Sequence, residues 1–204
     1  MSEDLDKQED AQEDEKNVEE RGFLAKTSLF FLEIIKLAVL AGITIALVRY
    51  FLFKPFVVKG QSMEGTFYEK DYLIIDEISY RLHGPRRGDV IVFKAPVSGD
   101  HYLKRIIGLP GERVKVEDSK VVIYNDEYPQ GVVLEESYLT EDTPGKDSIT
   151  LGAGQFYVMG DNRDASYDSR RFGAIDQDSI VGRVWVRGWP FSRITSFDSL
   201  EFNF

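Results

Sequence analysis

Residues 23–53 read FLAKTSLFFLEIIKLAVLAGITIALVRYFLF, and shortly beyond them stand Gly60-Gln61-Ser62-Met63. The uninterrupted apolar run is Leu37–Val48, bounded by Lys36 and Arg49. Extended from Ile34 to Phe53 it reaches about 20 residues, the length a hydrocarbon core requires. Lys36 and Arg49 would then lie near its ends, where long basic side chains reach the headgroups, and Tyr50 suits an interfacial ring. A cleaved leader fits less well, because a long polar stretch precedes the run and no small-residue cleavage site follows it before Lys59. A buried core helix is the plainer alternative. The pattern predicts one uncleaved membrane anchor, hence a single-pass cell-membrane protein with lipid as a partner.

Outward from that stretch the chain divides by composition. Residues 1–22 are a polar tail expected to be disordered, 23–53 the anchor, 54–191 a folded body, and 192–204 a C-terminal tail. The formal charge of −10 misleads as a partner signal. Residues 1–20 hold ten acids against Lys7 and Lys16, a net of −8, which leaves −2 for the rest. No basic stripe interleaved with aromatics appears, so nucleic acid is not an expected partner. The chain has no Cys and only His83 and His101. A thiolate metal site is excluded, and no metal or cofactor is expected.

The body reads as β throughout. Strand candidates are Phe56–Val58, Asp71–Ile78, Asp89–Ala95, His101–Ile107, Arg113–Val116, Lys120–Tyr124, Gln155–Met159 and Ile180–Trp189, each closed by Gly, Pro or Asn-Asp corners. Residues at about 117–152, above all the acidic and irregular 127–150, look like an inserted excursion. Fold class is mainly β: the N-terminal transmembrane helix followed by a twisted antiparallel domain with bent or partly barrelled sheets.

Three places could carry chemistry. Ser62 lies on a turn between Gly60 and Gly65, where a serine is weakly nucleophilic until a base is near. Lys104 falls inside an apolar strand, with Tyr102, Lys104 and Ile106 on one face and Leu103, Arg105 and Ile107 on the other. A sheet packed on both sides would bury one of the two cations. A buried lysine favours its neutral amine and can act as a base, a shift from about 10.4 to about 8 needing roughly 3 kcal/mol. The bland reading is a pair of edge or salt-bridge residues. Third, Gly160–Arg171 (GDNRDASYDSRR) concentrates Asp, Asn, Ser and Arg after an apolar strand. It is either a hydrogen-bonded knot or an active-site wall. Its oxygen ligands admit a calcium loop, but three arginines crowd the segment and strands flank it.

Taken together and in this order, Gly60–Met63, Tyr102-Leu103-Lys104-Arg105-Ile106-Ile107-Gly108-Leu109-Pro110-Gly111 and Gly160–Arg170 resemble the type I signal peptidases. These are membrane-bound serine–lysine endopeptidases that remove signal peptides from exported precursor proteins. The likeness covers roughly residues 30–190 and is nearest the shorter, Gram-positive type. It implies Ser62 as nucleophile, Lys104 as general base, and Ser166 as a serine that hydrogen-bonds the lysine. Asp168 and Arg170 would be a stiffening ion pair, with Asp161 in the same supporting box. Substrate would lie along Phe56, Val57, Val58, Lys59 and Gly60 on one side and Tyr102 and Leu103 on the other. The likeness also implies residues 54–204 outside the cytoplasm and the N-terminus inside. There are two departures: Gly60 stands where some members have a serine that serves the oxyanion, and Gly65 where a proline is usual. Rival readings are a repressor-type serine–lysine autoprotease, a hydrolase using His101 with Asp100, and a non-catalytic membrane-tethered β domain.

Overall fold

Strands form where the chain alternates or clusters β-branched and aromatic residues between glycine and proline corners. The structure is a computed structural model that describes residues 30–45, 54–198, 200 and 202–204. It divides into two units, Met1–Phe51 and Leu52–Phe204.

In the first unit residues 30–45 form a helix, α1. At 1.5 Å per residue its described residues span about 24 Å, against the roughly 30 Å of a hydrocarbon core. Glu33 and Lys36 also fall within it. Among the described residues no helix is long and apolar enough to cross a membrane. This corrects the expected transmembrane anchor, and with it the single-pass cell-membrane placement. The remainder of the expected span, 46–53, and the acidic tail lie outside the described residues.

The second unit is mainly β, as expected, and every strand pairing in it is antiparallel. In chain order the strands are β1 (Lys54–Val57), β2 (Tyr72–Asp76), β3 (Val90–Lys94), β4 (His101–Gly108), β5 (Arg113–Glu117) and β6 (Lys120–Tyr124). They continue with β7 (Val132–Val133), β8 (Asp147–Thr150), β9 (Gln155–Met159), β10 (Ile175–Asp176), β11 (Ile180–Trp189) and β12 (Thr195–Ser196). Two single-turn helices, α2 (Ser79–Leu82) and α3 (Ser169–Phe172), interrupt them. The large sheet runs β1-β2-β11-β3-β4-β9-β10 with β12 on β11, and the small one β7-β6-β5-β8.

The large sheet is packed on both faces. Along β3, Val90 and Val92 join Met63, Phe67, Leu73, Ile75 and Leu103 in one cluster, while Ile91 and Phe93 join Ile106, Phe156 and Val158 in the other. That is why β3 reads as continuous apolar sequence. The small sheet buries one face, so β5 and β6 alternate: Val114, Val116, Val121 and Ile123 turn inward against Ile107, Tyr157 and Met159.

The segment 127–150 supplies both flanks of the small sheet, with Ile123 opposite Val132 and Val114 opposite Ile149. Strands of two and four residues are too short to leave a period in the sequence. Residues 192–204 contribute β12. Their Phe197 packs on Phe67 at 4.5 Å between ring centres, and Phe202 and Phe204 close on the small-sheet core.

After β9 the chain passes behind the turn that follows β1, and Gly160 lies close against it. A Cβ there would overlap the Ser62 carbonyl oxygen and Ser166 Oγ. Gly160→Ala is expected to cost about 1–3 kcal/mol, read as a lower denaturant midpoint. Gly84→Ala, with open space around its Cβ, serves as the control and should stay within about 0.5 kcal/mol. Equal midpoints for the two would contradict this packing.

Candidate active site

Ser62 is half-buried on the turn between β1 and β2. Val58 N–H donates to Asp71 O at 2.9 Å and Lys70 N–H to Val58 O at 3.0 Å, closing the base of the turn. Inside it, Phe67 N–H and Thr66 N–H donate to Met63 O at 2.8 and 3.1 Å, while Met63 and Phe67 sink into the core. Buried Asp71 pairs with Arg187 (3.2 Å) and Arg193 (2.9 Å), and Arg187 also donates to Thr66 O at 2.9 Å. Both ends of the turn are therefore fixed.

Lys104 reaches this turn from β4. Its Nζ donates to Ser62 Oγ at 2.7 Å and to Leu103 O at 2.9 Å. Only 4 % of Lys104 is exposed, and the same holds for Arg105. The expectation that one of the two cations is buried falls short: both are. Their environments differ in kind. Arg105 makes a forked pair with Asp161 (Nε–Oδ1 2.9 Å, Nη2–Oδ2 2.6 Å) and donates to Gly88 O at 2.8 Å. Among the described residues no carboxylate forms an ion pair with Lys104. Burial lowers its pKa to about 8, with the charges of Asp168 and Asp161 pulling the other way. Its neutral fraction at pH 7 is then roughly a tenth, against about one part in a few thousand for an ordinary lysine.

The polar loop after β9 is a knot of hydrogen bonds that also walls the site. Asp168 caps α3 and accepts from Arg170 Nε and Nη2 at 2.9 and 2.8 Å and from Gly160 N–H at 3.1 Å. Burial opposes ionisation of Asp168, but the hydrogen bonds and charge of Arg170 outweigh it and its pKa is lowered. Asp161 also accepts from Thr66 Oγ1 at 2.6 Å, and Asn162 N–H donates to Ser62 O at 3.1 Å. With Asp161 and Asp168 both held by guanidinium groups, the loop does not present them as calcium ligands. Among the described residues no three His, Asp or Glu side chains converge as a metal cage.

One expected contact is missing. Ser166 Oγ is buried and near enough to Asp168 to help keep it ionised, but it has no partner in hydrogen-bond geometry and does not bond Lys104. Three residues that the sequence did not single out complete the site. Thr66 ties the turn to Asp161, Arg163 holds Gly160 O at 2.9 Å, and Glu136 pairs with Arg163 from the 127–150 segment. The crowding of arginines in the polar loop is a visible hint for Arg163; nothing in the acidic 127–150 stretch marks Glu136.

A groove of about 820 Å³ opens in front of Ser62 and Lys104. All seven residues expected along the substrate line it: Phe56, Val57, Val58, Lys59 and Gly60 on one wall, Tyr102 and Leu103 on the other. His101 and Asp100 are at its rim, and His101 makes no hydrogen bond to Ser62. Among the described residues β1 is the outermost strand and pairs only with β2. β4 meets β9 only from Arg105 onward, so His101–Lys104 pair on the β3 side alone. Both walls thus carry an unpaired strand edge. Among the described residues the Ser62 N–H donates to no acceptor, which leaves it free at the groove floor.

A family model described as "Signal peptidase, peptidase S26" matches residues 31–189. Signal peptidase IB of Staphylococcus aureus is 37% identical over 172 residues, spanning 78% of this chain and 89% of that protein. The probable signal peptidase I-2 of Synechocystis sp. is 37% identical over 171 residues, spanning 80% and 76%. A solved signal peptidase I from Enterococcus faecalis matches at 34% identity over 50% of this chain and 97% of its own, with a TM-score of 0.44. The chain belongs to the type I signal peptidases of peptidase family S26, and resembles the short Gram-positive kind.

Proposed function

We propose that this chain cleaves signal peptides from exported precursor proteins by a serine–lysine mechanism, with Ser62 as nucleophile and Lys104 as general base. The observation that carries the reading is the 2.7 Å contact between Lys104 Nζ and Ser62 Oγ, made by a buried lysine without a carboxylate partner. In the neutral state Lys104 accepts the Ser62 proton as Oγ attacks the scissile carbonyl. The oxyanion forms against the Ser62 N–H, and Gly60 supplies no side-chain donor beside it. Protonated Lys104 then gives its proton to the leaving amine. Water hydrolyses the acyl-enzyme, again with Lys104 as base.

The two unpaired edges of the groove favour a substrate bound as an added strand. Main-chain hydrogen bonds to β1 and to His101–Lys104 give generic affinity, while alternate side chains enter the groove and are sorted by size. Resemblance to the family implies small residues, typically alanine, at the first and third positions before the cut.

Ser62→Ala and Lys104→Arg are both expected to lose activity by about 10²–10⁴-fold or more, since a guanidinium stays charged and accepts no proton. Wild-type activity should rise with pH through about 8. A lysine whose folded pKa is depressed weakens the fold below that pKa, and the penalty disappears as pH rises to the unfolded value. Lys104→Met is therefore expected to be inactive yet more stable at pH 7, by up to about 3 kcal/mol, the gap closing between pH 8 and about 10.5. Lys104→Met as unstable as a core-cavity variant, or Lys104→Arg within tenfold of wild type, would sink the assignment. For the groove, a precursor series varied only at the residue before the cut should lose more than about 1–3 kcal/mol in kcat/KM from alanine to phenylalanine. Equal rates would refute sorting by size.

A further inference from the structure

Three arginines behind Ser62 and Lys104 are each matched to one carboxylate: Arg105 to Asp161, Arg170 to Asp168, and Arg163 to Glu136. The first two carboxylates belong to the loop after β9. The third comes from the segment between β7 and β8, remote in sequence and absent from the groove lining. Arg163 is fully buried. Besides Gly160 O, its guanidinium meets the Glu136 carboxylate, Thr143 Oγ1 and the Tyr138 hydroxyl (3.2 Å), all from that segment. Tyr138 in turn donates to Glu136 Oε1 at 2.6 Å and stacks its ring under the Arg105 guanidinium at 4.3 Å. It thus touches both the arginine next to Lys104 in β4 and the arginine that grips Gly160 behind Ser62.

We propose that Glu136 and Tyr138 are positioning residues for the serine–lysine pair: acting through Arg163 and Arg105, they hold Ser62 and Lys104 in register from behind. The proposal rests on the serine–lysine reading given above and adds residues outside the motifs that carry it. The physical link is continuous. Glu136 neutralises Arg163, Arg163 Nε fixes Gly160 O, and Gly160 fits so closely against the Ser62 carbonyl that no Cβ is admitted. On the other branch Tyr138 covers Arg105, whose fork holds Asp161, and Asp161 holds Thr66 in the turn that carries Ser62. Removing the Glu136 charge leaves a buried guanidinium unpaired. Arg163 already feels Asp161 and would turn toward it, in competition with Arg105. The charged groups whose fields reach Lys104 are Asp161 and Asp168. Drawing Asp161 toward Arg163 weakens the support for protonated Lys104.

The test compares Glu136→Gln, Tyr138→Phe and Tyr138→Leu in the full chain, with wild type and Ser62→Ala alongside, on one precursor. Rates are expressed per folded molecule, the folded fraction being read from melting curves. Glu136→Gln should lower kcat about tenfold or more with KM changed less than about threefold, because the groove walls on β1 and β4 are untouched. Its alkaline-rising limb should begin at lower pH than in wild type. Tyr138→Phe, which keeps the ring over Arg105, should lose clearly less than Tyr138→Leu; this comparison stands alone if Glu136→Gln does not fold. A mere brace would lower the melting temperature while leaving kcat per folded molecule and the pH limb at wild-type values, and that result overturns the proposal. Undiminished cleavage by Ser62→Ala would instead overturn the serine–lysine reading beneath it.

Discussion

A lysine ammonium buried without a counter-charge is the constraint around which this site is built. Two adjacent cations, Lys104 and Arg105, point to opposite faces of a strand that is packed on both sides. The sheet satisfies one of them fully: Arg105 has Asp161 for its fork, a carbonyl for its remaining nitrogen and an aromatic ring below. Lys104 receives a hydroxyl, its neighbour's carbonyl and, at 5.5 Å, the Tyr102 ring, with no carboxylate paired to it among the described residues. Desolvation unopposed by a paired anion pushes a lysine toward its neutral form, and a neutral amine against a serine hydroxyl is a base against an acid.

The rest of the polar architecture keeps that arrangement from relaxing. Asp161 and Asp168 are near enough for their charges to favour protonated Lys104. Each is held elsewhere by a forked arginine. The small sheet and the 127–150 segment, which contribute nothing to the groove surface, supply the anchorage for the loop: Glu136 and Thr143 on Arg163, and Pro144 O accepting from Arg170 at 3.1 Å. Holding Lys104 unpaired costs stability, and three buried or half-buried arginine–carboxylate pairs fix the geometry in which that cost is borne.

Much of this was legible in the sequence where one rule dominated. Alternation and β-branched runs located the long strands, and a lysine inside an apolar strand raised burial as one reading beside an edge or salt-bridge pair; the structure buries Lys104 and Arg105 alike. Other parts were hidden for physical reasons. β7 and β8 are too short to show a period, and the aromatic side chains that seat the C-terminal residues, Phe197, Phe202 and Phe204, are set among polar residues. Glu136 and Tyr138 act through contacts across 25 or more positions, which local pattern does not encode. The apolar run near the N-terminus misled because an apolar count alone does not make a span: the described part of α1, residues 30–45, includes Glu33 and Lys36. Ser166 was expected on Lys104, but the chain places its hydroxyl against Gly160 and Asp168 instead.

The measurement that bears most directly on the account is the titration of the Lys104 ammonium itself. With lysine side chains isotopically labelled in the full protein and the Lys104 resonance identified by its loss in Lys104→Met, NMR reads the pKa without recourse to turnover. A midpoint near 8 is the predicted result. A midpoint at the ordinary lysine value of about 10.4 would mean that Lys104 stays charged beside Ser62 and that the proton acceptor must be sought elsewhere.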